Sequence, residues 1–203
     1  MRRWIGWLGL GMLIFLAACS GKGPWREPFD EPGEWRLSTD AAADVTVAEG
    51  KLRIHVTDPG QIAWTSFPKT YRDFKLTVAA TQVSGPSDNE YGVLIRMEGD
   101  ERFYAFSISG DGYVRAASFD TESQWTILGD DWTPNDAVKQ GEAVNLLEVE
   151  ARGAQYTFRV NGQEVLQVED AALLKGEIGL YAGAFTEGDV VVTFDDLEVA
   201  SLK

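Results

Sequence analysis

The segment VEARGAQYTFRVNGQEV, residues 149–165, contains two short turns between three stretches in which apolar and polar residues alternate. Asn161 and Gly162 form a dipeptide that favours the tight two-residue turn of a β-hairpin. Alternation on both sides of this turn places apolar side chains on one face and polar ones on the other, as in an antiparallel sheet with one wet face. The predicted cross-strand pairs are Phe158 with Val165 and Arg159 with Glu164.

Two further hairpins follow the same pattern, one around Arg152 and Gly153 and one around Glu49 and Gly50. In both, a register that pairs apolar side chains also pairs the polar ones, which is the arrangement that stabilises an antiparallel pair of strands. The predicted pairs are Val149 with Tyr156, Leu147 with Phe158, Glu150 with Gln155, Glu148 with Thr157, Val47 with Leu52, Val45 with Ile54, Thr46 with Arg53 and Asp44 with His55.

Residues 35–203 consist almost entirely of short alternating segments that end at turn residues, without the period of a long amphipathic helix. A dozen or so antiparallel strands in one domain require two packed sheets. We therefore predict an all-β fold, a two-sheet antiparallel β-sandwich of the jelly-roll type, over residues 35–203. Further strands are predicted at 61–67, 72–83, 90–98, 102–109, 112–119, 124–128, 176–185 and 189–200.

The first 18 residues have the features of a secretory leader: two arginines, an apolar stretch too short to span a bilayer, and small residues before Cys19. Leu16, Ala17, Ala18 and Cys19 resemble the lipobox of bacterial lipoproteins, in which the cysteine is acylated after cleavage. The resemblance implies a lipid anchor at Cys19 outside the cytoplasmic membrane. Residues 19–34 are rich in glycine and proline and predict a flexible tether.

The net charge of −14 limits the partners that the protein can bind, and the single cysteine limits the covalent bonds that can stabilise its fold. Phosphate groups need lysine and arginine for neutralisation, so the composition argues against nucleic acid binding. It also disfavours docking on anionic lipid, which leaves the acyl group as the expected membrane contact. With no partner for Cys19, an intrachain disulfide is excluded, and we expect a monomer stabilised by its apolar core.

Four segments together resemble the concanavalin A-like lectin/glucanase superfamily, and within it the laminin G-like and keto-disaccharide hydrolase-like domains. The resemblance implies a jelly-roll fold that hosts lectins, glycosidases and adhesion modules, with glycan as the expected ligand class. The segments are EYGVLIRMEGDERFYAFSISGDGYVR (90–115), VNGQEV (160–165), GEIGLYAG (176–183) and VTFDDLEV (192–199).

Glycines in two of these segments predict a ligand groove. In residues 176–183, alternation places Gly179, Tyr181 and Gly183 on one face, and glycine in a strand often marks the close approach of a ligand or another backbone. Gly92 and Arg96 share a face of their strand in the same way. We predict a groove floored by glycine, with Tyr181 stacking on a sugar and Arg96 donating hydrogen bonds. The alternative is that the glycines accommodate sheet coiling and that Arg96 pairs with a local acid.

Trp125 and Trp132 are placed near loop ends, where a sugar-binding domain presents platforms for the apolar faces of sugars. The alternative is that both indoles cap the edge of the core.

Catalytic residues are not evident from spacing. Glu148 and Glu150 lie two apart on one strand, a spacing compatible with acid and base roles, but the predicted register places both on a solvated face beside Arg159. His55 is the only histidine, so no nucleophile triad is predicted. We expect a non-catalytic, lipid-tethered, lectin-like module that binds glycan or a surface partner. An envelope hydrolase of the keto-disaccharide or glycoside type and a structural or adhesion lipoprotein are the alternatives.

A structural calcium ion is the one cofactor that the sequence suggests. Asp195 and Asp196 in the last strand are expected to return beside the N-terminal segment that contains Asp30, and clustered carboxylates suit a hard cation. In related sandwiches terminal strands often hold calcium, so the resemblance implies the same site here. The alternative is that Asp195 or Asp196 bonds local backbone amides.

Overall fold

A computed structural model describes residues 23–122 and 124–203. The predicted signal peptide and Cys19 therefore lie outside the described residues. The described ranges contain fifteen β-strands and no helix, and so no helix that could cross a membrane. The strands are β1 (Trp25–Glu27), β2 (Ala43–Ala48), β3 (Lys51–Val56), β4 (Ile62–Tyr71), β5 (Phe74–Ser84), β6 (Asn89–Glu98), β7 (Arg102–Ile108), β8 (Tyr113–Asp120), β9 (Gln124–Ile127), β10 (Thr133–Pro134), β11 (Asn145–Arg152), β12 (Gln155–Val160), β13 (Gln163–Glu169), β14 (Gly176–Ala184) and β15 (Val190–Ser201).

The strands form two antiparallel sheets, which confirms the predicted all-β sandwich. The eight-stranded sheet has the order β13-β12-β11-β5-β15-β3-β2, with β1 also paired to β15. The seven-stranded sheet has the order β10-β8-β7-β6-β14-β4, with β9 also paired to β8. Apolar side chains from the inner faces of both sheets meet in one core, where for example the rings of Phe106 and Phe158 lie 5.7 Å apart.

The structure confirms one hairpin register in full and corrects the two others. The register around Glu49 and Gly50 is as predicted in all four pairs. After Asn161 and Gly162, Arg159 lies opposite Glu164 as predicted, but a bulge shifts the partner of Phe158 from Val165 to Leu166. The bulge inserts one extra residue, which alternation alone does not reveal.

The hairpin between β11 and β12 differs from the prediction by two residues. The turn is at Gly153 and Ala154, so Val149 pairs with Phe158 and Ala151 with Tyr156. Because side chains alternate with a period of two, a two-residue shift leaves every side chain on its predicted face. The core assignment was therefore correct although the register was wrong.

The N-terminal boundary of the domain lies earlier than predicted. Trp25 pairs with Val199 through β1, and its indole stacks on Phe67 with centroids 4.3 Å apart. Phe29 is completely buried in the core. Residues 25–34 therefore contain a strand and a core side chain, and the flexible tether predicted for residues 19–34 is wrong over this part. The proline and glycine content of this segment predicts a loop, and a three-residue strand is too short to be recognised by alternation.

Candidate functional site

Four of the predicted groove residues lie on one face of the seven-stranded sheet, the face turned away from the other sheet. In the register, Tyr181 lies opposite Gly92, and Gly179 and Gly183 lie two residues to either side of it on β14. The intervening Leu180 and Ala182 point into the core between the sheets. We call this surface, with the side chains that alternate onto it from β4, β6, β7 and β8, the outer face.

Arg96 does not lie on the outer face, which corrects the prediction. A bulge interrupts the pairing of β6 with β7 after Ile95, and Arg96 has a φ of 56°. The side chain consequently turns inward, where it is 0% exposed and its Nη1 donates to the carbonyl oxygen of Tyr71 at 3.2 Å. Its guanidinium also lies over the ring of Phe74 at 5.4 Å. Arg96 therefore ties chain segments together inside the sandwich and is not accessible to a ligand.

Tyr181 is on the predicted face, but it is completely buried and so does not offer its ring for stacking on a sugar. Its hydroxyl donates to Glu90 Oε2 at 3.3 Å. Burial and the adjacent Glu90 carboxylate raise the pKa of Tyr181 well above its usual value, so this phenol stays protonated and acts as a donor. The predicted stacking role of Tyr181 is replaced by a supporting one.

The glycines of the outer face allow close approach of protein groups. A Cβ on Gly183 would lie 2.9 Å from Cγ of Glu90, so this glycine leaves the space into which Glu90 folds. A Cβ on Gly92 would collide with the carbonyl oxygen of Phe106 on the neighbouring strand. The crowding supports the alternative reading, in which these glycines serve the packing of the sheet itself.

A buried ion pair between Arg115 and Glu90 lies on the outer face. Arg115 Nη2 lies 2.7 Å from Glu90 Oε2, and the side chains are 15% and 2% exposed. Trp132 covers Arg115, with the guanidinium carbon 4.4 Å from the ring centroid. The same indole contacts Phe185 edge-on at 5.9 Å between centroids. Trp132 thus separates the ion pair from solvent.

The environment of Glu90 favours its protonated form more than an exposed site would. Burial raises the pKa of Glu90, and the charge of Arg115 with the hydrogen bond from Tyr181 opposes that increase. Carboxyl groups with a raised pKa beside a cleft are common in functional sites. Sequence reasoning missed Glu90 and Arg115, although alternation in residues 90–96 places Glu90 on the same face as Gly92.

A depression of about 180 Å³ opens beside Trp132 at the end of the sandwich where β14 ends. It combines aromatic rings with carboxylate and hydroxyl groups, and we call it the Trp132 depression. Asp88 and Asp111 each accept a hydrogen bond from a neighbouring hydroxyl, Thr186 and Ser109 respectively. Its lining residues are Asp88, Ser109, Asp111, Tyr113, Trp132 and Phe185.

Another part of the outer face is an aromatic cluster. Trp125 contacts Phe103 and Phe119 with centroids 5.7 Å and 5.2 Å apart, and Trp64 contacts Phe103 from the opposite side at 5.9 Å. Trp125 is half-buried in this cluster, which agrees with the alternative that this indole caps the edge of the core. The structure therefore separates the two predicted platforms, because only Trp132 borders the depression.

A larger depression of about 420 Å³ runs along β4, next to Trp64. Its charged and polar groups already have protein partners: Arg36 Nη2 donates to Glu177 Oε1 at 2.8 Å, and Trp64 Nε1 donates to Asp100 Oδ1 at 2.9 Å. A ligand there would have to compete with these contacts. We therefore take the Trp132 depression as the candidate site.

The remaining candidate residues lie away from this site. Glu148 is 2.7 Å from Lys75 Nζ and 3.0 Å from Arg159 Nη1, within a network of charges on the outer side of the eight-stranded sheet. Arg159 also lies 3.7 Å from Glu150, as expected for surface charges. His55 Nε2 lies 3.3 Å from Asp189 Oδ1.

Of the three predicted calcium ligands, Asp195 has other partners, and Asp30 and Asp196 are exposed. Asp195 Oδ1 accepts a hydrogen bond from the backbone N–H of Asp196 at 2.7 Å, and its other oxygen lies 3.7 Å from Lys51 Nζ. Over residues 23–122 and 124–203, no group of three or more carboxylate, histidine or cysteine side chains is arranged to hold a metal ion. Asp195 therefore fits the alternative in which its carboxylate bonds a local backbone amide. Calcium binding stays a prediction.

Comparison with solved structures shows the fold. Similar folds include the carbohydrate-binding module CBM66 from Bacillus subtilis, at 15% identity over 83% of this chain and 96% of that one, with a TM-score of 0.67. A Bacillus subtilis protein of unknown function with a galectin-like fold follows at 12% identity, 87% and 94% coverage and a TM-score of 0.63. A putative glycosyl hydrolase from Parabacteroides distasonis has 15% identity, 88% and 100% coverage and a TM-score of 0.60.

No curated protein matches the sequence. The model of a protein family does, over residues 22–200, which begin before β1 and include all fifteen strands almost to the end of β15. That range agrees with the early N-terminal boundary found in the structure. By this match, the chain belongs to the family of 3-keto-alpha-glucoside-1,2-lyase-like domains.

Proposed function

We propose that this protein is a carbohydrate-binding module, fastened to a membrane through acylated Cys19, that takes its glycan into the Trp132 depression as a monomer. The observation that carries the proposal is the position of Trp132. Its indole is a wall of the depression and at the same time covers the Arg115 guanidinium of the buried ion pair. An aromatic wall fixed from behind by a cation is a rigid platform, and rigidity lowers the entropic cost of binding.

The lining of the depression suits a neutral sugar. Trp132 and Phe185 present ring surfaces for the apolar C–H face of a pyranose. Asp88 and Asp111 supply carboxylate oxygens that accept hydrogen bonds from sugar hydroxyls. The same carboxylates would repel an anionic glycan, so uncharged sugars are the favoured class.

Two observations support the tether and the ligand class. The lipobox-like residues before Cys19 support acylation, which mass spectrometry of the purified protein tests directly. A solved structure of the same fold is named as a carbohydrate-binding module.

Exchange of Trp132 for alanine is expected to weaken glycan binding at least tenfold, because aromatic anchors in a pocket contribute about 2 kcal/mol or more. The measurement is isothermal titration with neutral oligosaccharides selected on a glycan array. Trp25→Ala is the matched control, since it also removes a half-buried indole that stacks on a phenylalanine ring, but at a distance from the depression. Equal losses in both variants would contradict the proposed site.

A second candidate function is favoured by Glu90. A 1,2-lyase acting on a 3-keto-glucoside must remove the proton at C2, which the adjacent ketone acidifies. The C1–O bond to the leaving group then breaks as a C1–C2 double bond forms, and the departing oxygen takes up a proton, so that the leaving group is released as an alcohol. A carboxylate with a raised pKa, oriented by Arg115 and Tyr181, is a suitable base for that proton. Glu90 is buried beneath the depression, so Trp132 would have to move for a substrate to reach it.

Incubation with a 3-keto-α-glucoside distinguishes the two functions. Release of the alcohol that was bonded to C1 would favour the lyase if Glu90→Gln loses this release and keeps glycan binding. Binding without release in the unaltered protein is the result expected for the module.

A further inference from the structure

The chain enters the folded domain at one end of the sandwich. β1 runs antiparallel to β15, with Trp25 opposite Val199 and Glu27 opposite Leu197, so its first residue is at the end where β15 finishes. Five residues, Ser20 to Pro24, separate Cys19 from Trp25. Even fully extended, this segment spans only about 20 Å. A domain acylated at Cys19 would therefore stay close to the bilayer with this end nearest to it.

A basic corner surrounds that point of entry. Lys69 lies over the rings of both Trp25 and Tyr71, at 5.8 Å and 4.9 Å from their centroids. Arg72 and Leu174 line one depression together with Asp73 and the end of β15, and Leu174 is 46% exposed. Lys175 and Lys203 directly follow residues of this depression in the chain. We define the basal corner as Lys69, Arg72, Leu174, Lys175 and Lys203.

The cations of this corner lack a carboxylate partner within ion-pair distance. In the described ranges, Arg102, Arg115 and most other basic side chains lie within ion-pair distance of an acid. All but one of the unpartnered cations lie at the basal corner. Those without a carboxylate within this distance are Lys69, Arg72, Lys139, Lys175 and Lys203.

Asp73 is the acid of this depression and lies 3.8 Å from the buried guanidinium of Arg96. Other acidic side chains of the same end lie at different turns. Glu98, Asp100 and Glu101 lie at the turn between β6 and β7, and Asp120 and Glu122 lie at the turn after β8. These turns are at the ends of β6, β7 and β8, whereas the basal corner is at the ends of β4, β5, β14 and β15. A negative surface would therefore attract one corner of this end and repel the other.

Although the net charge of −14 disfavours docking of the surface as a whole on anionic lipid, we infer from these observations that the basal corner docks on the headgroups of an anionic phospholipid bilayer. Unpaired lysine and arginine beside an exposed leucine form a composition that binds such a surface. The inference rests on the proposed acylation of Cys19 for the closeness of the bilayer. It also sets the orientation of the candidate site, because β14 runs from the basal corner toward the Trp132 depression over nine residues, roughly 27 Å. The depression faces away from the membrane.

The test uses the full acylated protein in phosphatidylcholine vesicles with and without phosphatidylglycerol. Leu174→Cys and Glu187→Cys each introduce one free thiol at an exposed position, one at the basal corner and one at the opposite end, for a fluorescent label. Spin-labelled lipid is expected to quench the label at Leu174→Cys, more strongly with phosphatidylglycerol, and to leave the label at Glu187→Cys unaffected. Equal quenching at both positions, or quenching independent of phosphatidylglycerol, overturns the docking.

Charge-reversal variants provide the second part of the test. Lys69→Glu, Arg72→Glu and Lys175→Glu together are expected to remove the phosphatidylglycerol-dependent quenching, because each cation near an anionic surface strengthens binding about fivefold. Lys51→Glu, Arg53→Glu and Lys139→Glu change the net charge equally and should leave the quenching in place. If both sets act alike, net charge rather than the basal corner governs the contact, and the inference is wrong.

Failure of the tether is recognised separately. Mass spectrometry of the same preparation shows whether Cys19 carries acyl chains. If Cys19 is unmodified, the proposed anchor is wrong, and flotation of that protein with phosphatidylglycerol vesicles then decides the docking alone. Co-flotation that the three basal reversals abolish supports it, and absence of co-flotation overturns it.

Discussion

Exchange of Glu90 for alanine is expected to lower the free energy of unfolding by about 3 kcal/mol. Glu90 is 2% exposed and Arg115 only 15%, so the alanine variant leaves a guanidinium beneath Trp132 without its carboxylate. Removal of one partner of a buried pair costs more than the pair itself contributes, since the remaining charge has already lost its hydration. Tyr181 would lose its acceptor at the same time. Urea denaturation at neutral pH measures the change.

Two comparisons separate this mechanism from a general effect of losing a carboxylate. Glu198→Ala breaks the pair with Arg26, whose side chains are 35% and 74% exposed, and should change stability by less than about 1 kcal/mol. The double variant Glu90→Met, Arg115→Leu removes both charges and is expected to recover much of the lost stability. If the double variant is no more stable than Glu90→Ala, an unpaired charge is not the cause.

Exchange of Phe29 for alanine is expected to cost about 3 to 4 kcal/mol. The ring is completely buried and contacts Trp35 with centroids 5.6 Å apart, so alanine leaves a cavity at the edge of the core. A residue in a flexible tether would show no such effect. Chemical denaturation compares this variant with Asp30→Ala, which removes an exposed neighbour and should change stability by less than about 0.5 kcal/mol.

The Phe29 variant also tests where the domain begins. A loss comparable to that of other core truncations would establish that residues 25–34 fold with the sandwich. A loss no larger than that of Asp30→Ala would mean that this segment detaches at little cost, and that the domain starts near residue 35 as the sequence alone predicted.

Local alternation predicted which face a side chain occupies wherever the strand is regular. The β11–β12 hairpin shows how far this extends: its turn lies one residue later than predicted and its pairing is shifted by two residues, yet Val149 and Tyr156 still point into the core. Arg96 shows the limit of prediction from alternation. One bulge with a left-handed residue reversed its direction, because a single extra residue shifts alternation by one and sends the side chain to the opposite face.

The candidate site was predictable only in part for the same reason. Gly92, Gly179, Tyr181 and Gly183 were placed on one face from their spacing, and the register puts them there. The buried pair of Glu90 with Arg115 depends on β6 and β8 flanking β7, and no local pattern specifies that arrangement. Nor does spacing show that Tyr181 is covered rather than open to a ligand.

The sequence by itself determined the all-β sandwich, because the period of two and the turn residues are local properties of the chain. It also determined the acidic net charge of −14. Only the tertiary structure decided which charges are neighbours: it buries Glu90 against Arg115, pairs most surface cations with acids, and leaves Lys69, Arg72, Lys175 and Lys203 together at the end where the chain enters. The physical reason is that Coulomb interactions depend on distance in space and on burial, which strands far apart in the sequence set only when they pair.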